Sequence, residues 1–264
     1  MRKLSVLRWG LALCCGLWAF SGHAQEVLER VKNAGVVRVC IWPEYYGVTL
    51  RHARTQELTG IDIDLSAQLA SDLKVRLEYV DSSFPALIGD LTGDKCDVAM
   101  FAIGVTEQRA EKLRFTQPYL RSDIYGITTK SNQVIRQWAD IDKPGVLVAV
   151  QAGTFMEPVM EQRLQHAQLV RIKLPATRER ELVAGRVDVF MTDYPYSRRL
   201  LDNADWARLV PPPTPFSVMP YAYAVKPGDA KWLAVMDEFV ARIKRDGRLE
   251  RAASANGLGP IVVR

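Results

Sequence analysis

A chain of 264 residues that is 48% hydrophobic and 25% charged has the composition of a globular protein with room for a sizeable core, which excludes a disordered or coiled-coil chain. Its formal charge of +5 is largely local, because the first 24 residues hold three of the 35 basic residues and none of the 30 acidic ones, leaving +2 for the remainder. No dense Lys/Arg patch is left. The basic cluster Arg242, Lys244, Arg245, Arg248 and Arg251 alternates with acids on a helical pattern, so no nucleic-acid partner is expected.

Residues 1–24 combine a basic start (Arg2, Lys3, Arg8), an apolar run from Leu11 to Phe20 and a Gly22-His23-Ala24 end, the pattern of a cleaved secretory signal peptide. The mature chain then begins at Gln25, and no later segment is long enough to span a bilayer, which takes about 20 apolar residues. A soluble, exported protein is expected. Only Cys40 and Cys96 remain beyond the leader. On neighbouring parallel strands aligned at their C-terminal ends they would be offset by roughly three residues, or about 10 Å, which favours two buried thiols over a disulfide.

The mature chain opens with VVRVCIW at 36–42, an apolar run between Gly35 and Pro43 that predicts a strand buried on both faces. A loop with Tyr45 and Tyr46 ends at Gly60. There IDIDLSAQLASDL predicts a helix with Leu65, Leu69 and Leu73 on its inner stripe and Asp62 and Asp64 as helix-start acids. VRLEYV at 75–80 alternates like an edge strand, Ser82 or Ser83 starts a helix through Phe84, Leu87 and Leu91, and 97–101 supplies a third strand. This order makes a parallel sheet with right-handed crossovers. After an extended run at 121–129 the pattern repeats: a strand at 146–151, a capping box of Thr154 and Glu157 ahead of a helix, an edge strand at 169–174, a helix capped by Thr177, and a buried strand VDVFMT ending beside Asp193. A second extended segment at 217–225 and a final amphipathic helix from Asp229 to Arg245 follow. The chain therefore reads as α/β with two similar halves. Ligands in such sheets sit outside the carboxyl ends of the strands, which puts Trp42, Phe101 to Gly104, Gln151 to Thr154 and Asp193 on one cleft.

Arg109 lies three residues after the apparent cap Thr106, at the positive end of a helix dipole. A cation there calls for a negative partner, either Glu107 or Glu111 on a solvated face or an anion in the cleft. No cofactor motif is present, and neither His52 nor His166 has a metal-like neighbourhood.

GIDIDL at 60–65, FPALIGDL at 84–91, DVAMFAIGVTEQRAEKLRFTQPY at 97–119, QAGT at 151–154, GRVDVFMTD at 185–193 and KRDGRLERAASANGL at 244–258 occur in an order and spacing that together are specific. The chain resembles the type II periplasmic solute-binding proteins, family 3, that deliver amino acids to ATP-binding-cassette importers. The resemblance covers essentially the whole mature chain. It implies a two-lobed type II periplasmic-binding-protein fold, each lobe a mainly parallel sheet flanked by helices, with the lobes joined by two crossing segments. Residues 25–122 and 223–264 would form lobe 1 and residues 123–222 lobe 2. It also implies a monomer in the periplasm whose partners are a small carboxylate or amino acid and an inner-membrane importer permease, with no cofactor.

By the same resemblance Arg109 holds the ligand α-carboxylate, helped by backbone N–H groups near Gly104, Thr106 and Thr154. Asp193 matches the acceptor of the ligand ammonium group, against a purely structural role as a helix cap. Tyr45 and Phe84 match aromatic positions that sandwich the ligand side chain. The chain departs from the family in carrying Trp42 where an acid is common and Phe101, Ala102 and Gly104 where serines bind ligand. With Phe155, these positions predict an aromatic-rich pocket for a carboxylate with an apolar or aromatic body. PYLR at 118–121, IDKPGV at 141–146 and MTD at 191–193 are also similar to periplasmic cyclohexadienyl dehydratases. In that alternative Glu157 would be the general acid acting on a prephenate-like acid clamped by Arg109. A third alternative is a ligand-sensing partner of a membrane receptor.

Overall fold

The computed structural model describes residues 26–264. The expected leader, with Cys14, Cys15 and His23, lies outside the described residues. Helix α1 (Val27–Ala34) leads into strand β1 (Val36–Ile41), and a small ribbon of β2 (Glu44–Tyr45), β3 (Thr49–Arg51) and β4 (Leu58–Thr59) precedes α2 (Ile61–Leu73). Then come β5 (Arg76–Asp81), α3 (Leu87–Thr92), β6 (Val98–Gly104), α4 (Glu107–Lys112), β7 (Arg114–Phe115) and β8 (Leu120–Ser122). The second half contributes β9 (Ile124–Thr129), β10 (Leu147–Gln151), α5 (Met156–Arg163), β11 (Gln168–Ile172), α6 (Arg178–Val183), β12 (Val189–Asp193), α7 (Tyr194–Asn203) and β13 (Ala207–Val210). Strand β14 (Met219–Val225) and helices α8 (Ala230–Arg245) and α9 (Arg248–Ala255) complete the chain.

The strands form two main sheets. One runs β5-β1-β6-β14-β7 with β8 paired to β14, and the other runs β11-β10-β12-β9-β13. Each has a parallel core, β1 between β5 and β6 or β10 between β11 and β12, flanked on one side by antiparallel strands. This is the two-lobed type II periplasmic-binding-protein architecture. Strands β6 and β12 are buried along their whole length, as expected of strands covered on both faces, while the edge strands β5 and β11 are only partly buried and β11 does not alternate as expected. The chain passes between the sheets at Asp123 and again between β13 and β14. The expected division at 222 and 223 falls inside β14, which pairs in the first sheet from Met219 onward.

Several local expectations are corrected. Cys40 and Cys96 are joined in a disulfide, with Cα atoms 5.6 Å apart. Counting residues along the strands misled because Cys96 precedes β6, whose first residue is Val98, so the chain is still arriving from α3 and the offset is not measured in the sheet plane. Asp62 does not cap α2, whose cap is Gly60 without a side-chain bond. Its carboxylate is buried and accepts from the Ala102 N–H (3.0 Å), the Tyr119 hydroxyl (2.5 Å) and the Tyr223 hydroxyl (3.0 Å). The capping box of Thr154 and Glu157 is also absent, since α5 starts one residue later behind Phe155. The Thr154 hydroxyl donates to the Gln151 carbonyl (2.8 Å), and Glu157 accepts from the Gly153 N–H (2.8 Å). Helix α3 begins at Leu87, because Ser83 accepts from the Ala86 N–H (3.3 Å) in a turn before it. Helix α9 was not anticipated as an element of its own.

Candidate functional site

Where the lobes meet, the carboxyl ends of β1, β6, β10 and β12 face one another. The lobes approach tightly at Gly153, whose φ is +78° and where a Cβ would come within 2.9 Å of the Pro85 nitrogen in the other lobe. Glycine is required there by both the backbone angle and the space. Its carbonyl accepts from Arg109 Nη2 (2.8 Å), while Arg109 Nη1 donates to the Gly104 carbonyl of its own lobe (2.8 Å).

Arg109 sits in the first turn of α4, where the Thr106 side chain accepts from its N–H (3.3 Å). The side chain folds back under the lobe interface, 6% exposed, with its guanidinium 5.3 Å from the Phe84 ring centroid. Burial lowers its pKa to about 10, against the opposing influence of Tyr221 and Tyr45. Neither Glu107 nor Glu111 pairs with it. The negative partners are two carbonyl dipoles, one from each lobe.

Asp193 ends β12 and caps α7, accepting from the Tyr196 N–H (3.1 Å). Its other oxygen accepts from the Tyr221 hydroxyl (2.7 Å) and from the Tyr45 hydroxyl. Both tyrosines belong to the first sheet or its ribbon, so this carboxylate also ties the lobes together. At 1% exposure, burial pushes its pKa up, while the two hydroxyls, the Tyr196 N–H and Arg178 pull the other way. Burial likewise raises Tyr45 and Tyr221 well above the ordinary phenol range, with Asp193 adding to the effect.

Between these ties lies a cavity walled by Trp42, Tyr45, Phe84 and Ala102 from one lobe and by Thr154, Phe155, Met156, Arg178, Thr192, Asp193 and Tyr196 from the other. Only about 20 Å³ of it can hold the centre of a water-sized sphere. That suits one or two waters; a ligand with an apolar body needs the lobes to part. On the same measure two larger cavities, of about 350 and 470 Å³, share walls with it. Trp42 is a wall of all three, and its ring packs 5.2 Å from both Tyr45 and Phe84.

Of the sequence-predicted residues, Trp42, Tyr45, Phe84, Phe155, Thr154 and Asp193 meet at this small cavity. Arg109 lies just behind its Phe84 and Thr154 wall and, with Thr106, faces a separate outer cavity. Gly104 acts through its carbonyl on Arg109. The N–H groups of Thr106 and Thr154 make turn bonds to the Gly104 (3.1 Å) and Gln151 (3.3 Å) carbonyls. Phe101 does not reach the cavity: it is fully buried against Phe84, with ring centroids 5.2 Å apart. Ala102, in the left-handed region at φ +48°, presents the wall instead. Glu157 is not on that wall; it lines the cavity of about 470 Å³ with Trp42 and Phe84 and pairs with Arg171 (2.7 Å). Sequence reasoning missed Tyr221, Tyr196 and above all Arg178, which reads in the sequence as one more charge in TRERE.

A two-lobed α/β protein with buried arginines, a buried acid and aromatic walls at the lobe interface belongs to the solute-binding class. Residues 37–255 match the bacterial extracellular solute-binding proteins, family 3, and the chain belongs to that family. It is 30% identical over 245 residues to cyclohexadienyl dehydratase of Pseudomonas aeruginosa, covering 91% of this chain and 90% of that protein. It is 24% identical over 240 residues to the L-cystine-binding protein TcyJ of Escherichia coli, covering 91% and 89%. Among solved structures, the ancestral amino acid-binding protein AncCDT-1, a precursor of cyclohexadienyl dehydratase, superposes with a TM-score of 0.78 at 28% identity, covering 86% of this chain and 98% of that one. A mutant of ArgBP from T. maritima shares the fold, with a TM-score of 0.79 at 23% identity over 87% of this chain and 98% of that one.

Proposed function

We propose that this protein captures a small carboxylic acid with an apolar or aromatic body between its lobes and delivers it to an inner-membrane ATP-binding-cassette permease. In this reading it works as a periplasmic monomer exported by a cleaved leader, with lobe 1 formed by 25–122 and the segment from 219 onward. The observation that carries the reading is Arg109, a buried cation whose protein hydrogen-bond acceptors are carbonyls, one from each lobe. A carboxylate supplies a charged, bidentate partner to the same fork, which is stronger than a carbonyl dipole. A ligand that takes over this fork while contacting both lobes favours the shut form by its differential contacts.

Asp193 fits an ammonium less well than the family pattern implies, because three donors already occupy it. That supports an acid whose body packs on Trp42, Tyr45, Phe84 and Phe155. A thermal-shift panel of amino, aromatic and dicarboxylic acids identifies the ligand class, since a ligand at about 100 times its Kd adds roughly 2.7 kcal/mol of stability. Arg109→Ala is expected to cost about 2 to 5 kcal/mol of binding. Unchanged affinity would overturn the reading.

A second reading, turnover of a cyclohexadienyl acid, is favoured by the dehydratase relative. Its candidate acid Glu157 shares a cavity wall with Trp42 and Phe84 but is held by the Gly153 N–H and Arg171, so acting as an acid needs that ion pair to break. Following prephenate and arogenate by absorbance, with Glu157→Gln as the control, separates carrier from enzyme.

A further inference from the structure

Arg178 opens α6 directly after its cap Thr177 and is 4% exposed. Its Nη1 donates to the Met191 carbonyl (2.9 Å), the one protein acceptor of its guanidinium among the described residues. The guanidinium is clamped between rings, 4.5 Å from the Tyr196 centroid and 5.2 Å from that of Phe190. It lines both the small cavity and the neighbouring cavity of about 350 Å³.

The acids around it are already engaged or stand apart. Asp193 holds three donors, Glu179 accepts from the Tyr196 hydroxyl (2.6 Å), and Glu44 lies on the wall of the neighbouring cavity. None of them forms an ion pair with Arg178 among the described residues. Asp193 and Glu44 feel its charge without pairing with it, so this buried guanidinium with free N–H donors on a cavity wall remains open to an anion. It also repels an ammonium group from the cavity it shares with Asp193.

Arg109 stands behind Phe84, which belongs to the other lobe's wall of the same cavity. We infer that Arg178 is a second carboxylate-recognition residue and that the cleft selects dicarboxylic acids, one carboxylate on Arg109, the other on Arg178, and a pendant apolar group on the aromatic walls. This rests on the carboxylate-capture reading above and adds the ligand class.

The test is calorimetric titration of the whole exported protein with three probes that share a benzyl group: benzylsuccinate, 3-phenylpropanoate and L-phenylalanine. The wild type is expected to prefer benzylsuccinate over 3-phenylpropanoate by about 30-fold or more, the range for a buried charge pair. Arg178→Gln is expected to erase that preference while moving 3-phenylpropanoate affinity by less than about threefold, and Arg178→Lys to restore part of it. Equal affinities in the wild type, no binding of benzylsuccinate, or a parallel loss of both acids in a folded Arg178→Gln protein overturns the inference. If Arg178→Gln does not fold, the wild-type preference and Arg178→Lys decide it. Arg109→Ala keeps the two readings apart: unchanged 3-phenylpropanoate binding there removes the Arg109 assignment, whereas the benzylsuccinate preference still judges Arg178.

Discussion

Two buried aspartates in this protein make nearly the same set of bonds. Asp62 accepts from two tyrosine hydroxyls, Tyr119 and Tyr223, and from the Ala102 N–H. Asp193 accepts from two tyrosine hydroxyls, Tyr45 and Tyr221, and from the Tyr196 N–H. One tyrosine of each set comes from β14, two residues apart, where the pairing register with β6 shifts between Ala222 and Ala224. The partners of Asp62 lie on β6, on β14 and just before β8, so that knot is internal to one lobe. Asp193 gathers its hydroxyls across the lobe interface. The same chemistry thus serves once as a fixture of the core and once as a tie that has to open when the lobes part. Donors that stay buried when their acceptor is lost are costly, whereas donors released to water are cheap.

The lobe with the internal knot is also the lobe closed covalently. Cys40 and Cys96 span 56 residues, and in the chain-entropy picture a loop of that size is stabilised by about 4 kcal/mol. Replacing both with serine is expected to lower the urea-unfolding free energy by an amount of that order, the largest of the expected effects. Binding of the ligand should survive wherever the protein remains folded. If the stability of the double variant matched that of the wild type, the idea that the first lobe is the more strongly pinned of the two would be lost.

Strands and helices were legible in the sequence because burial on both faces leaves continuous apolar runs, and because Thr106, Thr177 and Asp229 announce helix starts with local side-chain bonds. Long-range polar partners were not. Asp62 reads as an acid in a first turn, and nothing near it points to Tyr119 or to Tyr223, 57 and 161 residues away. Residue counting put Cys40 and Cys96 too far apart because it assumed both were inside strands. At the candidate site Arg109 stood out through its conflict with the helix dipole, and the aromatic walls through the residues that replace polar ones. Arg178 sits at the same end of a helix dipole, but Glu179 and Glu181 beside it offset its charge in the sequence. A cation beside a helix cap looks solvated until the fold lays Tyr196 and Phe190 against it.

The Asp62 knot is open to direct attack. Asp62→Ala leaves two hydroxyls and one N–H buried without an acceptor, an expected loss of roughly 3 kcal/mol in urea unfolding. Proton linkage provides a second handle. Burial raises the folded Asp62 pKa to about 7, outweighing the three donors, whereas the unfolded carboxyl titrates at roughly 4. The folded state therefore binds the extra proton, so this contribution is fully present below the unfolded value and is lost as pH rises through about 7. Denaturant midpoints from pH 5 to pH 8 should fall in the wild type, and the slope should shrink in Asp62→Asn. A slope that survives the substitution would assign the pH dependence to another group.

The smallest changes separate the two knots most cleanly. Tyr223→Phe and Tyr221→Phe each delete one hydroxyl from the same strand while keeping the ring, and each removes one hydrogen bond to a buried acid. A bond of this kind is typically worth about 1.5 to 3 kcal/mol when its acceptor is charged and about 1 when it is neutral. Within one lobe the acceptor stays buried, so Tyr223→Phe should lower global stability by an amount in that range and leave ligand affinity alone. Across the interface the acceptor can rehydrate when the lobes part. Tyr221→Phe should therefore cost less in unfolding than Tyr223→Phe, and its effect should show instead in a more open ligand-free protein by small-angle scattering. Equal losses of stability with unchanged scattering would mean that the interface behaves as core, and that Asp193 and Asp62 are the same device after all.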